Sequence, residues 1–152
     1  RARELWTKAR DRYAKIDMPH MVKRVQGWLE EAKRLLQASL YDGAYYLAGY
    51  VIECALKACI AKQTRKHEFP DKSLVNKSYT HDLDTLVNVA GLRAQLDQRM
   101  QSDSAFAANW ALAKDWSEDA RYRRHSKVLT SDFVRAVSDP QSGILEWLRA
   151  HW

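Results

Sequence analysis

Residues 41–62 read YDGAYYLAGYVIECALKACIAK, and this stretch decides the fold. On a helix turning about 100° per residue, Ala44, Tyr45, Ala48, Ile52, Ala55, Leu56, Cys59 and Ile60 fill one broad face. Leu47, Val51, Cys54 and Ala58 cover a second face, leaving Tyr46, Tyr50, Glu53 and Lys57 to share the remaining stripe. A helix that is apolar on two faces has to be covered by several neighbours. This one is therefore expected at the centre of an all-α bundle, with its polar stripe facing a buried network, a cleft or a partner.

Working outward, Val22, Val25, Leu29, Ala32, Leu36 and Leu40 step by three and four, which predicts an amphipathic helix before the central one. Asp17-Met18-Pro19 marks its start, and Tyr41-Asp42-Gly43 reads as a tight turn with Asp42 capping the central helix. So short a connection makes the two helices antiparallel. Residues 1–16 form a sparser helix, an N-terminal extension to a domain spanning 17–152. Residues 63–80 lose the periodicity and read as a loop. Thr80-His81-Asp82 then opens a short helix that Gly91 ends, with His81 at the helix start and Thr80 or Asp82 as its cap. A polar helix over Leu92–Met100 follows, then one capped by Ser102 or Asp103 and running to about Trp116. The charged segment WSEDARYRRHSK precedes a final helical region that begins near Ser131 and is kinked or restarted at Asp139-Pro140.

Composition agrees with one helical domain. The chain has 152 residues, 46% of them hydrophobic, with five glycines and three prolines. Its net charge of +6 makes acidic partners such as RNA plausible. Cys54 and Cys59 point roughly 140° apart on one helix, so they read as buried free thiols of a reducing compartment. The five histidines have no ligand spacing, and no Gly-rich phosphate loop is present, so neither metal nor cofactor is expected. No apolar run reaches ~18 residues without a charge, which argues against membrane insertion and for a cytoplasmic protein. The start at Arg1 suggests that sequence before it is missing or processed.

Three segments in order resemble the HEPN (higher eukaryotes and prokaryotes nucleotide-binding) family. They are AYYLAGYVIECALKA at 44–58, His81-Asp82-Leu83 followed by Leu86, and Ala120-Arg121-Tyr122 after a tryptophan-bearing helix. The resemblance implies an up-and-down helical bundle, commonly a homodimer. It also implies one of two activities. Some members are metal-independent ribonucleases, often toxins of toxin–antitoxin or defence systems. Others are non-catalytic and work beside a nucleotidyltransferase. The nucleases carry an Arg and a His with four to six residues between them, at least one more than this chain offers, usually with a polar residue after the Arg, and two such pairs meet across the dimer.

Here the corresponding pair is Arg121 and His125, with three residues between them and Tyr122 after the arginine. Catalysis would use His125 as general acid or base and Arg121 to stabilise charge at phosphorus, leaving a cyclic phosphate. On a helix the two would share a face. The alternative is that Arg121 pairs with Glu53, Glu118 or Asp119. Glu53 and Lys57 stand in the favourable i,i+4 order, and a Glu buried there needs a cation. Arg121 is the expected one. Tyr46 and Tyr50 either stack a base or fill core. Tyr122, Arg123 and Arg124, with Lys127, make either a cationic groove for RNA or nucleotide phosphates or a solvated segment balanced by Asp115, Glu118 and Asp119. The expected function is a non-catalytic HEPN-like binding or partner module. A ribonuclease using Arg121 and His125, and a structural dimerisation domain working through Trp147 and Trp152, are the alternatives.

Overall fold

Val25, Leu29 and Ala32 form the buried seam of α1 (Met18–Gln37), as their spacing dictates. The computed structural model describes residues 18–63 and 72–152, with side chains from residue 22 onward. The helical extension expected over 1–16 lies outside the described residues. α1 ends in a Schellman motif. Ser39 takes the left-handed conformation at φ 62°; its N–H donates to the Leu36 carbonyl, and the Leu40 N–H to that of Leu35. The chain reverses within three residues and enters α2 (Tyr41–Gln63). Leu40, expected on the apolar seam, falls in this turn and is exposed.

α2 is the central helix. It packs along α1 and also touches α4 (Leu83–Val89), α7 (Lys127–Ser138), α8 (Ile144–Arg149) and the 3₁₀ turn Glu118–Tyr122. Ala44, Ala48, Val51, Ile52, Ala55, Leu56 and Ala58 are fully buried on it. By length and composition α2 is apolar enough to cross a membrane, its charges notwithstanding, but 61% of its most apolar window is buried inside the bundle. A core helix covered on all but one stripe needs the same apolar content as a membrane span.

The remaining elements are α3 (Lys72–Lys77), α5 (Arg93–Ser102) and α6 (Ser104–Ala113). All regular structure among the described residues is helical. α3 lies where a loop was expected; at six residues it has no fully buried side chain, only Leu74 packing partly against the core, and leaves no periodic signal. Gly91 ends α4 in a second Schellman motif at φ 68°, with the Leu92 N–H on the Val87 carbonyl. Asp103 caps α6 by accepting the Phe106 N–H at 2.9 Å. α7 begins at Lys127 rather than Ser131, because Ser126 accepts the Leu129 N–H at 3.2 Å and starts the helix a turn earlier.

Candidate functional site

The polar stripe of α2 carries the most deeply buried charge of the described residues. Glu53 is 2% exposed. Lys57, one turn on, places Nζ 2.8 Å from Glu53 Oε1. The second partner is His81, whose Nδ1 lies 2.9 and 3.0 Å from the two carboxylate oxygens. Arg121, the partner expected from sequence, is not there. It stands half-exposed on the 3₁₀ turn, 3.7 Å from Glu118 and 5.0 Å over the Tyr122 ring. The reason is positional: His81 lies directly before α4, which packs on α2, and reaches Glu53 across that contact.

His81 thereby joins two elements. Its Nε2 is 3.1 Å from Glu118 Oε2, so the ring sits between a buried and an exposed carboxylate. Donating from both nitrogens at once requires the imidazolium form. The capping role falls to Asp82, which accepts the Thr85 N–H at 2.6 Å, while Thr80 accepts the N–H of Asp82. The two halves of this chain differ in strength. Taking His81 away from buried Glu53 costs about 2–3 kcal/mol, because a desolvated carboxylate is then left with Lys57 alone. Half-exposed pairs such as His81–Glu118 and Glu118–Arg121 are worth about 0–1 kcal/mol. The inner end is rigid and the outer end exchangeable.

The Arg121–His125 segment is not α-helical, so the shared face argued from i,i+4 spacing does not exist. The 3₁₀ turn ends at Tyr122, and Arg123 is extended at φ −115°, ψ 156°. His125 is drawn inward. Its ring stacks on Tyr45 at 3.9 Å between centroids, and Nε2 lies 3.0 Å from the Ala120 carbonyl. Its backbone N–H donates to Asp42 at 2.7 Å, and Arg124 reaches the same carboxylate at 3.4 Å. Asp42 is therefore a clasp for this segment and not the cap of α2, whose first turn already contains it. Tyr122 is 77% exposed. Arg123, Arg124 and Lys127 are exposed as well, and neither Arg123 nor Lys127 forms an ion pair with a described residue. Of the acids expected to balance this segment, only Glu118 does so.

Tyr46 and Tyr50 are half-buried members of an aromatic row. Tyr50 lies 5.1 Å from Trp28, Tyr46 and Tyr50 stack at 6.3 Å, and Tyr46 lies 5.9 Å from Trp116. They hold the edge of the core above Glu53. Among the described residues no three His, Cys, Asp or Glu side chains group as a metal site requires.

A HEPN domain model matches residues 18–149. The chain belongs to the HEPN family. No curated protein and no solved structure matches it. Within this HEPN domain, the helix pair, the His81-Asp82-Leu83 opening and the Ala120-Arg121-Tyr122 segment that carried the resemblance all converge on one place. The central helix supplies Glu53, the α4 entry supplies His81, and the 3₁₀ turn supplies Glu118 and Arg121. Sequence reasoning missed His81 as a member of this network. The available signal was the presence of Asp82, which caps α4 alone and leaves the His81 ring free for another partner.

Proposed function

We propose that this HEPN domain is a non-catalytic binding module whose working face is the Arg121–Lys127 segment, and that it binds RNA phosphates there. It acts in the cytoplasm as a homodimer, beside a nucleotidyltransferase-type partner in a toxin–antitoxin or defence setting. The observation that carries the reading is the division of the segment's side chains. Tyr122, Arg123, Arg124 and Lys127 face solvent, while His125 is turned in against Tyr45 and the Ala120 carbonyl. Exposed cations around an exposed aromatic ring suit a single-stranded polyanion. A general acid needs a nitrogen directed at substrate, and the Nε2 of His125 is directed at the protein's own backbone. Exposed Leu40, Val128 and Leu129 next to the cations supply apolar area for a homodimer.

The test is RNA binding across a salt series together with RNA cleavage in EDTA. Wild type is expected to bind with a steep salt slope that shallows by roughly 0.7 for each cation lost in Arg123→Ala and Lys127→Ala, and to cleave nothing. Metal-independent cleavage abolished by Arg121→Ala and His125→Ala, with folding intact, overturns the reading in favour of the ribonuclease. Absence of binding leaves the structural dimerisation domain.

A further inference from the structure

One oxygen of Glu118 lies between an imidazole nitrogen and a guanidinium. Oε2 is 3.1 Å from His81 Nε2 and 3.7 Å from the Arg121 guanidinium. A ring N–H and a guanidinium converging on one anionic oxygen also make the donor set of a phosphate site. The imidazole cannot turn away, because Nδ1 is held on both oxygens of buried Glu53, itself held by Lys57. Glu118 has no such anchor. Its side chain is 41% exposed, and its two partners are 43% and 48% exposed.

We infer that His81 Nε2 and Arg121 form a binding site for a phosphate monoester, and that Glu118 is its internal occupant, displaced when the ligand arrives. The monoester is favoured over a diester by charge. It carries about −1.5 to −2 at neutral pH and three acceptor oxygens, enough to meet His81 and Arg121 together and to outcompete a single carboxylate. A diester, with one negative charge, has no such advantage over Glu118. The site shares Arg121 with the Arg121–Lys127 face but uses neither Arg123 nor Lys127, so polyanion binding through those two survives loss of His81, and this site survives loss of Arg123 or Lys127.

The experiment is a titration of the full chain with inorganic phosphate at constant ionic strength, followed by the NMR resonances of the His81 ring and the Arg121 side chain. Wild type shows saturable shifts at both. Glu118→Gln binds about three- to tenfold tighter, because a weak competing carboxylate is gone. His81→Asn keeps a donor towards Glu53 but lacks Nε2, so it folds and loses the response. Dimethyl phosphate produces no comparable shift. Displacement of phosphate by adenosine monophosphate or by a 5′-phosphorylated oligoribonucleotide tells whether the monoester comes from a nucleotide or from an RNA end. The inference is overturned if neither wild type nor Glu118→Gln shows a saturable shift, or if Glu118→Gln binds no tighter. It is equally overturned if His81→Asn responds like wild type, or if phosphate moves Arg123 and Lys127 in place of His81 and Arg121.

Discussion

Trp116 packs directly on Gly49, so closely that a β-carbon at position 49 would overlap Cδ1, Nε1 and Cε2 of the indole. The glycine is therefore a recess in the central helix for a ring that is 2% exposed. Trp116 in turn sets the start of the segment that carries Glu118 and Arg121.

Gly49→Ala is expected to destabilise the domain in spite of alanine's better helix propensity. The propensity gain is about 1 kcal/mol, whereas forcing a methyl into a filled core costs about 1–3 kcal/mol. The indole cannot yield freely, since it also meets Tyr46. Urea unfolding checks this; a midpoint raised above wild type would show that Trp116 can move at little cost.

His81→Ala is expected to cost about 2–3 kcal/mol, more than an exposed histidine would, because Glu53 stays buried with Lys57 alone. Adding Glu53→Leu to it should recover part of the loss, since no carboxylate then lacks its partner. A double-mutant cycle by chemical unfolding measures the coupling. Strictly additive effects would mean the pair contributes nothing of its own.

Acid weakens the α6 entry. The Phe106 N–H, followed by the Ser142 hydroxyl and Arg99, holds the Asp103 carboxyl below its usual value. The N–H groups of Ser142 and Gln141 do the same for Asp139. A carboxyl depressed in the native state contributes stability that is full above its unfolded value of about 3.9 and is lost as pH falls through the native value. Thermal midpoints should therefore drop below about pH 4. Asp103→Asn, which still caps, should flatten that limb by lowering the neutral-pH midpoint towards the acid one. An unchanged acid limb in both Asp103→Asn and Asp139→Asn would remove these carboxylates from the account.

The thiols are protonated at neutral pH. Burial pushes Cys54 up to about 11, and Cys59 likewise to about 11. Since the thiolate is the nucleophile, native alkylation by iodoacetamide should run roughly 100-fold slower than in the unfolded chain. Mass spectrometry of timed quenches measures it; comparable native and unfolded rates for Cys54 would contradict its burial.

The periodicity of residues 41–62 was enough to place a central helix, and stepped apolar residues before it were enough for an antiparallel partner. Local signals also located Gly91 and the break at Asp139, and narrowed the α6 cap to Ser102 or Asp103. They failed where two side chains compete for one role. Asp42 and Ser126 are both cap-type residues at helix starts, yet one clasps His125 and the other caps α7. The extended backbone at Arg123 left no mark in the sequence, so spacing alone put Arg121 and His125 on a face that the chain does not form.

By itself the sequence determined that the fold is all-α and HEPN-like, that α2 is its core, and that Glu53 needs a cation. These follow from periodicity and from the cost of burying charge, which are properties of a helix and its composition. Which cation answers Glu53 was decided only by tertiary structure. Lys57 is a neighbour on the helix, but His81 arrives from 28 residues away, because α4 packs where its first residues overlook the stripe. The same packing set Glu118 and not Glu53 opposite Arg121. Charge pairing acts over a few ångströms, so partners are chosen by where the backbone brings side chains together, which no spacing along the chain encodes.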